Sequence, residues 1–296
     1  MEYKRNKWKR GFSMKYIDLH VHSNASDGSF SPKEVVSLAL EANMTAIALT
    51  DHDTISGVAE ALDAASDMDL QVIPGVELSC IYKEKELHIL GLYIDHTNES
   101  LNRYLEETAR KRHARNEDML AAFRADGFDI TMEDLMLGTE KTTITRAHFA
   151  RALCNKGYVS SPDQAFKKYL NPECKYYRKR EVITPEETIE AIRNAGGFPV
   201  LAHPLQYKFG WKETEELILF LKDAGLAGLE CYHSSNNEYE SGKLRVLADK
   251  HALAVTGGSD FHGAAKPDIR IGVGRGGLRV SAEYLDVIKL AMFFGL

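Results

Sequence analysis

A chain of 296 residues can bury one large core, either as a single barrel or as a main domain carrying an insertion. Its net charge of -6 and pI near 6.0 exclude a globally basic nucleic-acid binder, though not a local basic cleft that reads phosphates. No stretch approaches the roughly 18 apolar residues of a membrane span, and the basic opening MEYKRNKWKRGFS lacks the apolar run of a signal peptide. Residues 1–14 are therefore expected to be a disordered basic arm. Cys80, Cys154, Cys174 and Cys231 show no paired spacing, which fits free thiols in a reducing cytoplasm. Any metal must then be held by nitrogen and oxygen.

In chain order, Tyr16 to His22 alternates like a strand. Ser31-Pro32-Lys33-Glu34 is a capping box that opens a helix with its apolar stripe at Val35, Val36, Leu38 and Ala39. Thr45–Thr50 reads as a buried strand, Ser56–Ser66 as a helix, and Leu70–Ile73 as a strand ended by Pro74-Gly75. Leu87–Tyr93 is another strand. From about residue 100 to 181 the pattern changes to charged helices (Leu101–Arg124, Thr145–Asn155, Pro162–Leu170) with no convincing strand. A second capping box, Thr184 to Glu187, restores the alternation: strand Phe198–Ala202, helix Glu213–Ala224, strand Gly228–Tyr232, helix Tyr239–His251, strand Leu253–Thr256. Strands alternating with helices imply parallel pairing and right-handed crossovers. The expected architecture is an α/β barrel built from residues 15–99 and 182–296, with a helical insertion at 100–181 covering the active site.

Imidazoles and carboxylates collect where these strands run out. His20 and His22 share one face of the first strand. His52, Glu77, His203, and the pair Asp260 and His262 each follow a strand, and Asp27 and His88 complete the set. The C-terminal ends of parallel strands are where α/β barrels carry their chemistry. Nine such donors exceed the three or four of a single catalytic zinc and suffice for two or three ions. The donor types suit Mn, Fe or Zn, with Mn2+ expected first. Such a cluster polarises a phosphoryl oxygen, activates water and stabilises a leaving oxygen, so phosphate-ester hydrolysis is the natural reaction.

Five segments carry a family resemblance: Asp18-Leu19-His20-Val21-His22-Ser23, Thr50-Asp51-His52-Asp53, Pro74-Gly75-Val76-Glu77, Ala202-His203-Pro204 and Gly258-Ser259-Asp260-Phe261-His262. Together they resemble the successive motifs of the PHP (polymerase and histidinol phosphatase) metal-dependent phosphoesterases. The resemblance implies a distorted (β/α)7 barrel and three ions. One would be held by His20, His22, Glu77 and Asp260. Glu77 would bridge to a second at His88 and His203, and a third would take Asp27, His52 and His262. Asp18 shares the strand face of His20 and His22 and would either orient an imidazole from behind or stand as a simple buried acid. Asp27, His52, Arg146, His203 and His262 would act in catalysis.

Within the insertion, Thr145-Arg146-Ala147-His148-Phe149-Ala150-Arg151 resembles a motif of the PHP branch that acts on nucleotides, as bisphosphate phosphatases or 5′-to-3′ exoribonucleases. The substrate implied is a small phosphorylated nucleotide such as pAp, or short RNA, with histidinol phosphate as a further alternative. Arg146 would clamp a phosphate in a fork that lysine cannot copy. His148, Arg115, Asn116 and Lys175 are the other expected substrate contacts. The glycines of Gly272-Val273-Gly274-Arg275-Gly276-Gly277 do not make a dinucleotide loop, because too little chain follows for a Rossmann unit.

Overall fold

The computed structural model describes residues 15–136, 142–179, 181 and 183–295, so the expected arm at 1–14 lies outside the described residues. The first half alternates: β1 (Tyr16–Val21), α1 (Pro32–Glu41), β2 (Met44–Leu49), α2 (Val58–Ala64) and β3 (Gln71–Tyr82). Ser31 and Glu34 satisfy each other's backbone donors at the start of α1, as the capping box requires. The second half alternates too, through α7 (Pro185–Asn194), β5 (Phe198–Leu201), α8 (Trp211–Asp223), β6 (Gly228–His233), α9 (Glu238–Lys250) and β7 (Ala254–Gly258). β1 to β3 are parallel to one another, and so are β5 to β7.

Between these halves the expectation of parallel strands fails. β3 and β4 (Lys85–Leu92) form an antiparallel hairpin, and β4 also runs antiparallel to β5. The two-residue turn, Lys83-Glu84, has φ of 44° and 67°, the backbone of a tight hairpin, but it lacks the Asn-Gly or Asp-Gly signal that would have announced it. Pro74-Gly75 does not end β3. It marks where the strand stops pairing with β2, at Leu49 and Pro74, and starts pairing with β4, at Gly75 and Leu92. Glu77 and His88 therefore lie inside long strands rather than past their ends.

The sheet order is β7-β6-β5-β4-β3-β2-β1-β8, with the short β8 (Val280–Ser281) antiparallel to β1. It curls into a nearly closed barrel. Asp260 N donates to His20 O and His22 N donates to Phe261 O, both at 2.9 Å, joining the segment after β7 to the end of β1. One apolar cluster draws Ile17, Leu19, Ala46, Ile73, Leu90 and Val200 from five strands, as a barrel interior must, together with Leu285 and Ile288 of α10 (Glu283–Phe294).

Because β4 runs backwards, the chain leaves it at the end of the barrel remote from His20 and His22. From there α3 (Glu99–Ala125) starts, 27 residues and about 40 Å long. Leu101 and Leu105 pack with Ile189 and Ile192 of α7. Further along, Met119, Leu120 and Phe123 join a separate apolar cluster with Phe149, Leu153 and Leu170. That cluster belongs to α3, α4 (Met132–Met136), α5 (Arg146–Asn155) and α6 (Pro162–Ala165), which continues as one wider turn over Phe166–Leu170. The segment forms helices and no strand among its described residues.

Candidate metal centre

β1 delivers His20 and His22 to one face, both fully buried. The loop that follows is tied down by Asp51, whose carboxylate accepts from Ser23 N at 2.8 Å, Ser23 Oγ at 2.7 Å and Ser26 Oγ at 2.6 Å. This fixes Asp27. His52 leaves β2 beside Glu77, and His88 comes from the opposite strand of the hairpin. His203 and Asp260 sit at φ of 28° and 57°, a backbone region that costs a side-chain-bearing residue about 1–3 kcal/mol. Each is held there: Glu230 accepts from His203 N at 2.6 Å, and Asp18 accepts from Ser259 N at 2.9 Å.

All nine expected donors converge. His20, His22 and Asp260 form one set, and His20, Glu77 and His203 a second. His52, Glu77 and His88 make a third, and His22, Asp27, His52 and His262 a fourth. Within each, the ligand atoms lie within 4.8 Å of one another. None matches an implied ion's ligands one for one: the first lacks Glu77, His203 and His88 join Glu77 in separate sets with His20 and His52, and the last adds His22.

The spacing suits small ions. A tetrahedral ion with bonds of about 2.1 Å separates its ligands by about 3.4 Å. His20 Nε2 and His22 Nε2 lie 3.4 and 3.3 Å from Glu77 Oε2, and 3.7 and 3.4 Å from Asp260 Oδ1. The other Glu77 oxygen, Oε1, is 2.8 Å from His88 Nδ1 and 2.9 Å from His203 Nε2. Glu77 thus turns one oxygen to each of two donor groups. His20 Nε2, His22 Nε2 and Glu77 Oε2 are buried with no hydrogen-bond partner among the described residues, a costly arrangement unless a cation sits among them.

Without ions, protons take their place. Burial opposes charge on Glu77 and Asp27, yet both stay well below the usual carboxylate range because imidazoles surround them. Burial would lower His52, but Glu77 and Asp27 outweigh it and raise it to about 9. Burial pushes His203 and His262 down to about 4, leaving both neutral and able to donate a lone pair.

Two carboxylates stand behind the donors, one expected there and one not. Asp18 does not orient an imidazole: Oδ1 accepts from Ser259 N, and Oδ2 accepts from Gly272 N at 2.7 Å. It stitches β1 to the backbone before Asp260. The orienting group is Glu230 of β6, whose Oε1 lies 2.9 Å from His20 Nδ1 and so turns Nε2 toward the centre. Sequence reasoning missed Glu230; its signal was a lone acid inside the apolar run Gly228 to Cys231.

A cavity of 570 Å³ opens over Asp27, His52, His88 and His262 and is lined on its other side by Arg112, Arg115, Arg146, Arg151 and Lys266. A larger cleft of 680 Å³ lies at the opposite end of the barrel, but its lining holds no histidine or acid, so size does not pick the site. Arg146 pairs with Glu86 at 2.7 Å and lies near the rings of Phe166 and Tyr177. Arg115 is buried at the cavity wall. Arg112 pairs with Asp53, which also accepts from Ser79 N at 2.8 Å.

The other three expected contacts fall outside the lining. His148 places Nδ1 3.0 Å from Thr145 N and caps α5. Asn116 Nδ2 donates to Ile144 O at 3.2 Å. Lys175 is exposed and pairs with Asp126 at 2.5 Å. His148 and Asn116 hold the segment whose Thr145 hydroxyl donates to Asp27 Oδ2 at 2.9 Å, so they act on the centre through the backbone.

A barrel that gathers imidazoles and carboxylates for more than one ion beneath a wall of arginines defines a metal-dependent phosphoesterase. Residues 18–225 match the family described as the PHP domain, and the chain belongs to that family. It is 36% identical over 250 residues to the 3′,5′-nucleoside bisphosphate phosphatase of Chromobacterium violaceum, covering 84% of this chain and 88% of that protein. It is 34% identical over 249 residues to the 5′-3′ exoribonuclease Rnm of Escherichia coli, covering 83% and 84%. Among solved structures, a Bifidobacterium adolescentis protein assigned as a metal-dependent phosphoesterase superposes with a TM-score of 0.81 at 30% identity, over 93% of this chain and 96% of the other. The chain is thus a hydrolase of ester bonds. Among the described residues, no helix is long and apolar enough to cross a membrane.

Proposed function

We propose that this enzyme removes the 3′-phosphate from 3′,5′-bisphosphonucleotides such as pAp. The carrying observation is the shared cavity: metal donors on one side, Arg112, Arg115 and Arg146 on the other, in a volume of 570 Å³ that suits a mononucleotide. The name of the Chromobacterium violaceum relative agrees with this reading.

Two or three divalent ions at the nine donors, Mn2+ first with Fe or Zn as alternatives, would supply Lewis-acid polarisation of the phosphoryl oxygen and neutralise its charge. The protein's own part is positioning. Asp27, His52, His203 and His262 surround the reacting phosphate, with Asp27 aimed by Thr145. Arg146 exchanges Glu86 for the 5′-phosphate, which its planar fork grips with two hydrogen bonds. The helices over the cavity exclude water, strengthening these contacts. A reducing cytoplasm suits the four unpaired thiols.

Metal-reconstituted protein should release phosphate from pAp far faster than from AMP; equal rates would remove the bisphosphate reading. The second reading, a 5′-to-3′ exonuclease, uses the same arginines on the 5′-phosphate of short RNA and agrees with the Escherichia coli relative. Mononucleotide release from 5′-phosphorylated oligonucleotides of two to five residues, exceeding turnover of pAp, would select it. Histidinol phosphate completes the panel.

A further inference from the structure

Two cations of the cavity wall have no place in the reading above, and both face the donor cluster. Lys266 lies in the loop after β7. Gly263, at φ 63°, has no room for a Cβ against Ser29 and Phe30, and Ala264 N donates to Ser29 Oγ at 2.8 Å. That turn carries Lys266 back over the centre, where Nζ lies 2.6 Å from Asp260 Oδ2. The oxygen it uses matters. Asp260 Oδ1 is the one facing His20 and His22, at 3.7 and 3.4 Å, so the lysine and an ion do not compete for the same atom. An ammonium has three donors, and Asp260 is the one hydrogen-bond partner found for it among the described residues. The remaining donors have the cavity beside them.

Arg151, five residues beyond Arg146 on α5, contrasts with its neighbour. Arg146 is engaged by Glu86, whereas Arg151 Nε is buried and has no hydrogen-bond partner among the described residues. Arg151 lines the same cavity as Asp27 and Lys266; burial pushes its guanidinium down in pKa, and the Asp27 carboxylate opposes this. A guanidinium whose Nε has no partner among the described residues and an ammonium held by a carboxylate donor line one cavity, a setting suited to a doubly charged oxyanion.

We infer that Lys266 and Arg151 are two further phosphate contacts, gripping the phosphate that reacts, while Arg146 holds the remote one. The inference rests on the metal-dependent phosphoesterase reading but not on the nucleotide. Substrate discrimination then divides between two places: the Lys266–Arg151 pair serves any phosphate ester, and Arg146 serves esters with a second phosphate.

The test uses full-length protein loaded with Mn2+ and titrated calorimetrically with inorganic phosphate, alongside kcat/KM for p-nitrophenyl phosphate and metal analysis. Lys266→Met and Arg151→Ala should each weaken phosphate binding about 10-fold or more, as loss of a charged hydrogen bond does, with bound metal unchanged. Arg151→Lys keeps charge without the fork, should fall between wild type and Arg151→Ala, and decides the matter if the alanine variant does not fold. Unchanged phosphate affinity in Lys266→Met and either Arg151 variant would overturn the inference. Loss of bound metal from Lys266→Met would also overturn it, since the lysine would then be a prop for Asp260. Neither probe carries a nucleoside, so failure of pAp as substrate leaves this result intact.

Discussion

The two sides of the cavity are built in opposite ways. The floor is a set of donors on or just past barrel strands, most of them buried, four of them fixed by a backbone or carboxylate contact: Asp51 for the Asp27 loop, Glu230 for His20 and His203, Asp18 for the approach to Asp260. The wall is Lys266 of the loop after β7 and a row of long cationic side chains on α3 and α5, whose helices are anchored in their own apolar cluster. The floor tolerates no displacement, because donor spacing sets which ions fit. The wall leans on the barrel through side-chain pairs, Arg146 with Glu86 and Arg112 with Asp53. Reaction type belongs to the first, substrate choice to the second.

The sharpest break between them is Glu77→Gln. Removing one charge from the carboxylate that faces both donor groups should lower activity by about 10³ or more on every ester and reduce bound metal. Activity retained with full metal would show that Glu77 is no shared ligand. Glu230→Gln, one step behind the floor, should cost about 10- to 100-fold in metal affinity or activity on all substrates alike. A loss confined to one substrate would move Glu230 to the other side of the comparison. Arg146→Ala should act on the wall alone, raising KM for pAp by about 10-fold while leaving p-nitrophenyl phosphate within about 2-fold.

The floor should also carry a pH signature that the wall lacks. In metal-free protein His52 titrates near 9, above its unfolded value of about 6.5. The ion pairs with Glu77 and Asp27 therefore stabilise fully below about 6.5 and fade as pH rises through 9. Thermal melts with chelator should drop by about 5 °C across that window, and melts with Mn2+ should not, since ions replace the protons. A flat metal-free profile would refute the pairing. Smallest of all is Lys175→Ala: its exposed pair with Asp126 is worth about 0–1 kcal/mol, and KM for pAp should not move.

What the sequence disclosed follows the same division. The convergence of these side chains was legible because His20 and His22 share a strand face and because Asp27, His52, His203, Asp260 and His262 leave strands at one end. The barrel class followed from the alternation of strand and helix. The β3–β4 hairpin was not legible, since a Lys-Glu turn in left-handed backbone carries no local signal. The wall was legible only in part. Arg146 and Arg115 reach the cavity, but Asn116, His148 and Lys175 are polar residues with local jobs, and the capping of α5 by His148 looks in sequence like a free imidazole beside an arginine. Lys266 depends on the glycine turn at 263, which only three dimensions reveal.

The reversed course of β4 has one more effect. It obliges α3 to travel the height of the barrel, footed against α7, passing the cavity at Arg112 and Arg115, and ending in the apolar cluster of the helical segment. A single rigid rod thus spans foundation, substrate and roof. Any tilt of that rod on ligand binding would be transmitted to both of its ends at once, so the enzyme's grip on its substrate should register in amide exchange at α7, on the far side of the molecule from the bound phosphate.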